Sequence, residues 1–319
     1  GVLFENRTTS LVAADGSNQA WGMDGWFAFS DEAGLLGYYS RTRTDGMSGH
    51  DESYRGQFSY DADAWGGQMD HLVVGDNFNP EMGFVGRADV RKTIGDVTFK
   101  PRPDISWIRQ FELRGFYEYF TNPENEVLQK VGHYILRFMF ERGDGFRLAL
   151  HHRVNRLFEP LLLAPGIEIA PGDYPGGDNW SFTYNFDPAS RLSGMVRYGF
   201  QDDYFGARRT YWRIAPQWKP TPSWIVDLNY DLEQIHSPHD FSSHIVNLGI
   251  NYAVSTRFIT STILQYNNLL EIKGINFRVN YIYRPGDDFF FVYRDVRNGL
   301  QPEFSDRAFL VKFTRSFDF

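Results

Sequence analysis

Apolar and polar residues alternate with a period of two along most of the chain, in segments of about ten residues. In the clearest segment, residues 224–233, every second residue is apolar: Trp224, Val226, Leu228, Tyr230 and Leu232. Segments at 192–201, 246–252 and 275–284 repeat this pattern. Because successive side chains of a β-strand point to opposite faces, the pattern predicts strands with one apolar and one polar face.

Segment length separates a membrane barrel from a soluble β-sandwich. A strand of about 9 to 11 residues can cross a bilayer, whereas most strands have about 5 to 6. Aromatic residues make up 17% of the chain, and tryptophans lie near segment ends, as in an aromatic girdle: Trp65, Trp107, Trp180, Trp212, Trp218 and Trp224. No segment approaches the roughly 20 consecutive apolar residues of a spanning helix. The sequence therefore predicts an all-β, transmembrane, antiparallel up-and-down β-barrel.

The connections alternate between tight links and longer polar stretches. Tight links are predicted at residues 31–34, 61–64, 142–145, 187–190, 219–223, 253–257 and 284–288, and longer ones at residues 11–20, 45–52, 76–88, 159–178 and 297–306. Short periplasmic turns and long extracellular loops are typical of outer-membrane barrels. We predict one domain, residues 1–319, with about eighteen strands and both ends periplasmic. The count is a lower bound if strands precede Gly1, because a bilayer does not tolerate an unpaired strand edge.

The last segment and the composition predict location and partners. The segment alternates and ends on an aromatic residue: Phe309, Val311, Phe313, Phe317 and Phe319. It resembles the terminal strand that the barrel assembly machinery recognises, which implies the bacterial outer membrane, its lipid and its lipopolysaccharide as surroundings. The absence of Cys excludes disulfides and thiolate sites. A net charge of -8 without a basic face argues against nucleic-acid binding.

Two motifs carry a family resemblance. The opening GVLFENR, Gly1 to Arg7, and the stretch GDNFNPEMGFVGR, Gly75 to Arg87, resemble an outer-membrane barrel domain of unknown function. In many Gram-negative bacterial proteins that domain follows a family-9-like carbohydrate-binding domain, which is not among these 319 residues. The resemblance extends through the whole chain and implies a fold and a location, but no settled activity.

A barrel of about eighteen strands is wide enough to leave an aqueous channel, so passage of small hydrophilic solutes, oligosaccharides included, is the predicted function. The strand phases place these candidates in the lumen: Arg137, Arg147, Arg153, Arg197, Arg213, Asp227, Asp231, Glu233, Arg278 and Arg294. Most of the basic residues precede the acidic ones along the chain. Two interpretations stay open: a transverse field that orients solutes, or ion pairs that stiffen the wall.

Two loops bear on how open the lumen is. The long loop 159–178 has an apolar centre between prolines and glycines, and its constriction candidates are Leu161, Leu162, Leu163, Ile167 and Glu168. It would form a self-packed surface loop, a constriction, or a surface for a partner protein.

The loop 76–84 has the residues of turn chemistry. Calcium binding by Asp76, Asn79 and Glu81 is a lesser alternative, because all three offer oxygen ligands. The spacing fits no established calcium loop, and we predict no metal and no cofactor.

Two further classes of function stay open. A plugged or gated barrel would serve in export, in surface display or in a larger envelope complex with protein partners. A membrane-embedded hydrolase would need an acid, a base and a nucleophile, and no catalytic residue is assigned. His151 and His152 are adjacent, so only one of them faces the lumen. The other polar histidine group lacks a known zinc spacing: His236, His239, Asp240 and His244.

Overall fold

A computed structural model describes residues 1–13, 16–238 and 240–316 of the chain. These residues form twenty-one β-strands and one short 3₁₀ helix, Pro302–Phe304. None of the helical structure in this described part is long and apolar enough to cross a membrane. The residues divide into two compact units, 1–137 with 149–158 and 171–176, and 138–148 with 159–170 and 177–319. The prediction of one domain stays a prediction.

The first unit is built on a ladder of seven strands that pair antiparallel in chain order. The strands are β1 (Val2–Arg7), β2 (Asn18–Ala28), β3 (Ala33–Thr44), β4 (Glu52–Asp61), β5 (Trp65–Val74), β6 (Val90–Phe99) and β7 (Ile108–Thr121). The chain continues through β8 (Val127–Phe140) and β9 (Gly145–Leu157). Within the long loop that follows, β10 (Leu161–Ala164), β11 (Ile167–Ile169) and β12 (Gly172–Tyr174) are short. β12 pairs with the end of β9.

The second unit is built on a ladder of nine strands that also pair antiparallel in chain order. The strands are β13 (Asp178–Phe186), β14 (Leu192–Tyr204), β15 (Ala207–Trp218), β16 (Trp224–His236), β17 (Phe241–Ser255), β18 (Phe258–Asn267), β19 (Ile272–Arg284), β20 (Asp287–Asn298) and β21 (Asp306–Thr314). The all-β, antiparallel, up-and-down arrangement predicted from the alternation is confirmed.

The registers keep the two faces of each ladder separate. Leu228 lies opposite Leu248, which lies opposite Leu264. One residue further along β16, Asn229 lies opposite Asn247, which lies opposite Gln265. A slip of one residue would exchange these rows, so the hydrophobic pattern sets the register. Below, the face with the first row is called the apolar face and the face with the second row the polar face, and the same names apply to the first unit.

The strands are long, as predicted. Among the described residues, seventeen strands have nine residues or more, and β1 has six. These eighteen agree with the predicted number, and β10, β11 and β12 are additional. A strand of thirteen residues, such as β16, extends about 43 Å and, tilted by about 45°, rises about 30 Å. That rise matches the hydrocarbon core of a bilayer.

The connections alternate between two ends, here called the short-turn end and the long-loop end. In the first unit the links 29–32 and 62–64 lie at the short-turn end, and the links 8–17, 45–51 and 75–89 at the long-loop end. The link 100–107 is longer than a tight turn although it lies at the short-turn end, and it was not among the links predicted from the sequence. In the second unit the asymmetry is weaker, because residues 205–206 close a two-residue turn at the long-loop end.

Candidate functional site

Seven of the ten predicted lumen residues lie on the polar face of the second unit: Arg197, Arg213, Asp227, Asp231, Glu233, Arg278 and Arg294. Arg197 lies directly opposite Arg213, which lies opposite Asp231. The alternation places these residues together because each occupies a polar position of its strand. That this face lines a lumen stays a prediction.

Charges on β15 and β16 neutralise each other locally. Arg213 Nε lies 2.5 Å from Asp231 Oδ1, and Arg209 Nε lies 2.6 Å from Glu233 Oε1. Gln217 Nε2 donates a hydrogen bond of 2.6 Å to Asp227. Charge-assisted pairs between neighbouring strands stiffen the wall and cancel much of the field that either charge would project. On these two strands the geometry therefore favours wall pairing over a transverse field.

The remaining arginines of this face have other partners. Arg197 Nε donates a hydrogen bond of 3.0 Å to the neutral hydroxyl of Thr183. The Arg278 guanidinium lies 5.1 Å from the centre of the Phe290 ring, within the range of a cation–π contact. Among the residues that the structure describes, no carboxylate is a hydrogen-bond partner of Arg197, so its positive charge is not offset locally. Arg294 Nε lies 3.7 Å from Asp306 Oδ2.

The other three predicted lumen residues lie on β8 and β9. Arg137 Nη1 lies 3.1 Å from Glu112 Oε2 in the first unit. Arg147 and Arg153 both lie on β9, Arg147 in the second unit and Arg153 in the first. Of the two adjacent histidines, His151 lies 5.2 Å from His133, ring centre to ring centre, with the two rings tilted by 44°.

The polar face of the first unit carries a set of charge pairs that was not predicted from the sequence. Arg55 donates two hydrogen bonds to Asp70, of 2.9 and 2.7 Å, and only 6% of Asp70 is exposed. Two further pairs join neighbouring strands: Lys92 with Glu118 at 3.0 Å, and Arg114 with Asp96. The alternation in β4 could have predicted that Arg55 lies on the polar face, because its neighbours Tyr54 and Gly56 lie on the apolar face.

The loop 75–89 folds onto the polar face of the first unit at its long-loop end. The residues that it covers belong to β2 and β3, and Thr42 has 0%, Asn18 3% and Thr44 3% of its surface exposed. Asn18 Nδ2 donates a hydrogen bond of 2.8 Å to the Asn79 carbonyl oxygen, and the Asn79 N–H donates one of 2.9 Å to Thr42 Oγ1. We call residues 77–81 the lid.

Glu81 fastens the lid to the loop between β1 and β2. The Ser10 hydroxyl donates a hydrogen bond of 2.5 Å to Glu81 Oε1, and the Leu11 N–H donates one of 2.7 Å to Oε2. Arg7 Nε lies 3.7 Å from Oε2, and 2% of the Glu81 side chain is exposed. Burial by itself raises the pKa of this carboxyl, but the hydrogen bonds and the Arg7 charge outweigh it and hold the pKa below its ordinary value.

Asn77 fastens the lid on its other side. Asn77 Nδ2 donates a hydrogen bond of 2.9 Å to the Gly49 carbonyl oxygen, in the loop between β3 and β4. The lid thus touches both neighbouring loops and the strand ends between them. The sequence predicted turn chemistry here but not the position of the loop over the polar face.

The residues proposed as a constriction form a small hairpin. β10 pairs with β11, Leu161 lies opposite Ile169, and Leu162 lies opposite Glu168. Gly166 turns the chain with a φ of +76°, a conformation that favours glycine. Ala164 and Ile169 are buried, whereas 67% of Leu162 is exposed. Pairing within the hairpin agrees with a self-packed loop; Leu163 and Ile167 are partly exposed.

The candidate metal ligands do not converge. Among the described residues, no three His, Asp or Glu side chains lie together in a way that would hold a metal ion. Asp76 lies 3.6 Å from His50, whereas Glu81 binds Ser10 and Leu11. His239 lies outside the described residues, and His244 is hydrogen-bonded to the Tyr230 hydroxyl at 2.9 Å. The group around the β16–β17 turn is therefore not assembled as a site in this part of the chain.

Comparison with known proteins gives a likeness among solved structures. No protein-family model matches the chain, and no curated protein matches it. Among solved structures, the chain is similar to the ferric-catecholate import receptor Fiu of E. coli K12 in its open form, with 8% sequence identity and a TM-score of 0.37. The match covers 93% of this chain and 55% of that receptor, so the chain spans about half of the receptor's length.

Proposed function

We propose that the chain is a β-barrel of the bacterial outer membrane through which small hydrophilic solutes, oligosaccharides included, pass. In each unit, long strands carry an apolar face and a polar face, as lipid on one side and water on the other require. Backbone groups in lipid must be paired, which demands a closed barrel. The C-terminal segment would direct assembly by the barrel assembly machinery; Phe317 and Phe319, two of its aromatic residues, lie outside the described residues.

The observation that carries the proposal is the lid on the polar face. A loop that folds over the water-filled side of the barrel wall narrows the path of a solute and leaves the lipid-facing side of the wall uncovered. The lid is polar, and Asn77, Asn79 and Glu81 bind neighbouring loops by hydrogen bonds. The paired charges below it, such as Arg55 with Asp70, provide a hydrophilic wall.

The second candidate function is a gated barrel in export, surface display or an envelope complex. The same lid favours it, since a loop held by a few hydrogen bonds is a removable obstruction. The exposed Leu162 of the β10–β11 hairpin offers an apolar contact for a partner protein. The two functions differ in whether the isolated barrel conducts ions.

Single-channel conductance of the purified chain in a planar bilayer tests the proposal. We expect steady conductance from the unaltered chain. Glu81→Lys places a cation beside Arg7, removes both acceptor oxygens, and is expected to raise the conductance by releasing the lid. Phe84→Ala is the matched control, because Phe84 lies in the same loop but is 92% exposed. Silence of the unaltered chain together with conductance of Glu81→Lys would support the gated barrel, and silence of both would refute the channel.

A further inference from the structure

A group of basic side chains lies on the apolar face at the long-loop end of β19, β20 and β21. The group consists of Lys273, Arg297 and Arg307 around one carboxylate, Asp295, and we call it the basic cluster. Lys273 lies directly opposite Arg297, and Asp295 directly opposite Arg307. Three positive charges and one negative charge leave an excess of two.

Asp295 holds two of the three cations in place. Arg307 Nη2 lies 2.8 Å from Asp295 Oδ2, and Arg297 Nε lies 3.5 Å from Oδ1. The Tyr293 hydroxyl donates a hydrogen bond of 3.2 Å to the same carboxylate. Only 13% of the Asp295 side chain is exposed, whereas Arg297 is 70% and Arg307 57% exposed. The carboxylate is therefore occupied, and both guanidinium groups keep donors that face outward.

Lys273 and Arg297 form a like-charge pair. Like charges directly opposite each other on antiparallel strands destabilise the pairing. Within the described parts of the chain, Lys273 makes no hydrogen bond or ion pair that would compensate. The nearest further carboxylate along the chain is Glu271, in the turn before β19, whose carbonyl oxygen accepts a hydrogen bond from the Gly299 N–H. Even if Glu271 is counted, the cluster keeps an excess positive charge that an anion would neutralise.

The cluster caps a continuous apolar surface. Toward the short-turn end, the same face of the three strands carries apolar and aromatic residues as far as Tyr283, Phe289 and Phe313. They are Ile275, Phe277, Val279, Tyr281, Tyr283, Phe289, Phe291, Tyr293, Phe309, Val311 and Phe313. Lys273 lies ten residues from Tyr283, whose ring stacks on Phe313. Ten residues extend about 33 Å along β19, which at a tilt of about 45° is a rise of about 23 Å. An outward apolar band of a membrane barrel is about 25 Å tall. The cluster thus lies where that band ends and lipid headgroups begin.

We propose that the basic cluster binds the phosphate groups of an anionic glycolipid in the outer leaflet, of the phosphorylated lipid A class. This proposal rests on the proposed outer-membrane location. The acyl chains of such a lipid would lie on Ile275, Tyr293 and Phe309, and its phosphates would accept hydrogen bonds from Lys273 and Arg297. Arg guanidinium groups match phosphate oxygens in geometry, and Lys supplies a point charge. Charge complementarity and the adjoining apolar band together select a lipid phosphate over a free one.

Binding of lipid A by the purified, folded chain in detergent tests the proposal. The double variant Lys273→Gln with Arg297→Gln is compared with Arg284→Gln, which removes a positive charge from the opposite end of the same strand. Each basic side chain near an anionic surface accounts for roughly a fivefold change in binding, so the double variant is expected to bind diphosphorylated lipid A roughly thirtyfold more weakly. Arg284→Gln is expected to bind as the unaltered chain does. Heat-dependent gel mobility confirms that all three proteins are folded.

Two further ligands test whether the cluster binds a lipid phosphate rather than a free phosphate or the lipid chains alone. Dephosphorylated lipid A is expected to bind weakly and equally to all three proteins, and inorganic phosphate at millimolar concentration is expected not to displace lipid A. Equal binding of lipid A by the double variant and the unaltered chain would overturn the proposal. So would equal binding of phosphorylated and dephosphorylated lipid, or displacement by inorganic phosphate. Conductance is recorded without lipid A, so a silent channel that still binds the phosphorylated lipid would refute the proposed passage and leave the lipid site standing.

Discussion

At the scale of single residues, the lid depends on close backbone contact at its start. A Cβ atom on Gly75 would lie 1.8 Å from the His50 carbonyl oxygen, and the Gly75 N–H donates a hydrogen bond of 2.9 Å to the Glu52 carbonyl oxygen. Only glycine allows the chain to approach the β3–β4 loop this closely. The first residue of the GDNFNPEMGF motif is thus explained by a contact rather than by turn chemistry alone.

Gly75→Ala is therefore expected to destabilise the first unit by about 1–3 kcal/mol, because the chain must shift to relieve the overlap. Thermal unfolding in detergent measures the loss. Gly56→Ala is the matched control: Gly56 lies in β4, where an added Cβ would meet no atom of the described residues within 4 Å. Equal transition temperatures for the two variants would contradict the close approach.

The lowered pKa of Glu81 predicts a pH dependence. The hydrogen bonds to the carboxylate contribute stability above pH 4.5, the ordinary value for this group, and that contribution is lost as the pH falls through the lower pKa of the folded state. We expect the conductance of the barrel to rise on acidification below about pH 4.5, because the lid detaches. Glu81→Gln should already show part of this increase at pH 7 and a smaller step below pH 4.5. A step of unchanged size in Glu81→Gln would assign the effect to other carboxyls.

At the scale of strands, β15 and β16 show how paired charges on one face can have little effect on ions in the channel. Arg213 and Asp231 are direct neighbours, so removing both leaves the net charge of the wall unchanged. Arg197 has a neutral hydrogen-bond partner, Thr183, so no neighbouring carboxylate in that contact cancels its field. Replacing Arg197 therefore removes a positive charge that acts on ions. The position of each arginine relative to a carboxylate, rather than its presence on the face, decides its effect on ions.

Arg197→Gln is expected to shift the ion preference of the channel toward cations. Replacing Arg213 by Gln and Asp231 by Asn together should leave the preference unchanged. Reversal potentials in a salt gradient across a planar bilayer measure both. For a partly exposed pair of this kind, the coupling between the two single replacements in unfolding experiments is expected to be about 0.2–1 kcal/mol. A larger shift from the double replacement than from Arg197→Gln would contradict the local pairing.

At the scale of the whole molecule, the two faces of the strands predict opposite responses to one substitution. Val279 lies on the apolar face of β19, and Asn280, the next residue, lies on the polar face. Val279→Arg should oppose membrane insertion by about 2–4 kcal/mol, the cost of an arginine facing lipid near the bilayer centre. Asn280→Arg should insert as the unaltered chain does. The folded fraction in lipid vesicles, read from heat-dependent gel mobility, distinguishes the two, and equal folding of both variants would contradict the assignment of the faces.

The sequence predicts the strands because their information is local. Alternation over 224–233 or 275–284 indicates both the strand and its two faces, since a period of two is a property of the backbone. The same reasoning placed Arg197, Arg213 and Asp231 on one face. It could not distinguish a charged wall from a paired one, because the 2.5 Å contact of Arg213 with Asp231 depends on the register between β15 and β16.

By itself, the sequence determined the all-β class, the strand lengths and the two ends of the ladders, all of which follow from periodicity and turn residues. Only the tertiary structure showed that the loop 75–89 covers the polar face of the first unit. For the loop 159–178 the sequence left three interpretations open, and the structure adds that β10 and β11 pair within it. The lid depends on hydrogen bonds between residues far apart in the chain, such as Ser10 and Glu81. No local pattern predicts such a contact, because it depends on the pairing of β1 to β5, which brings the loops of the first unit together.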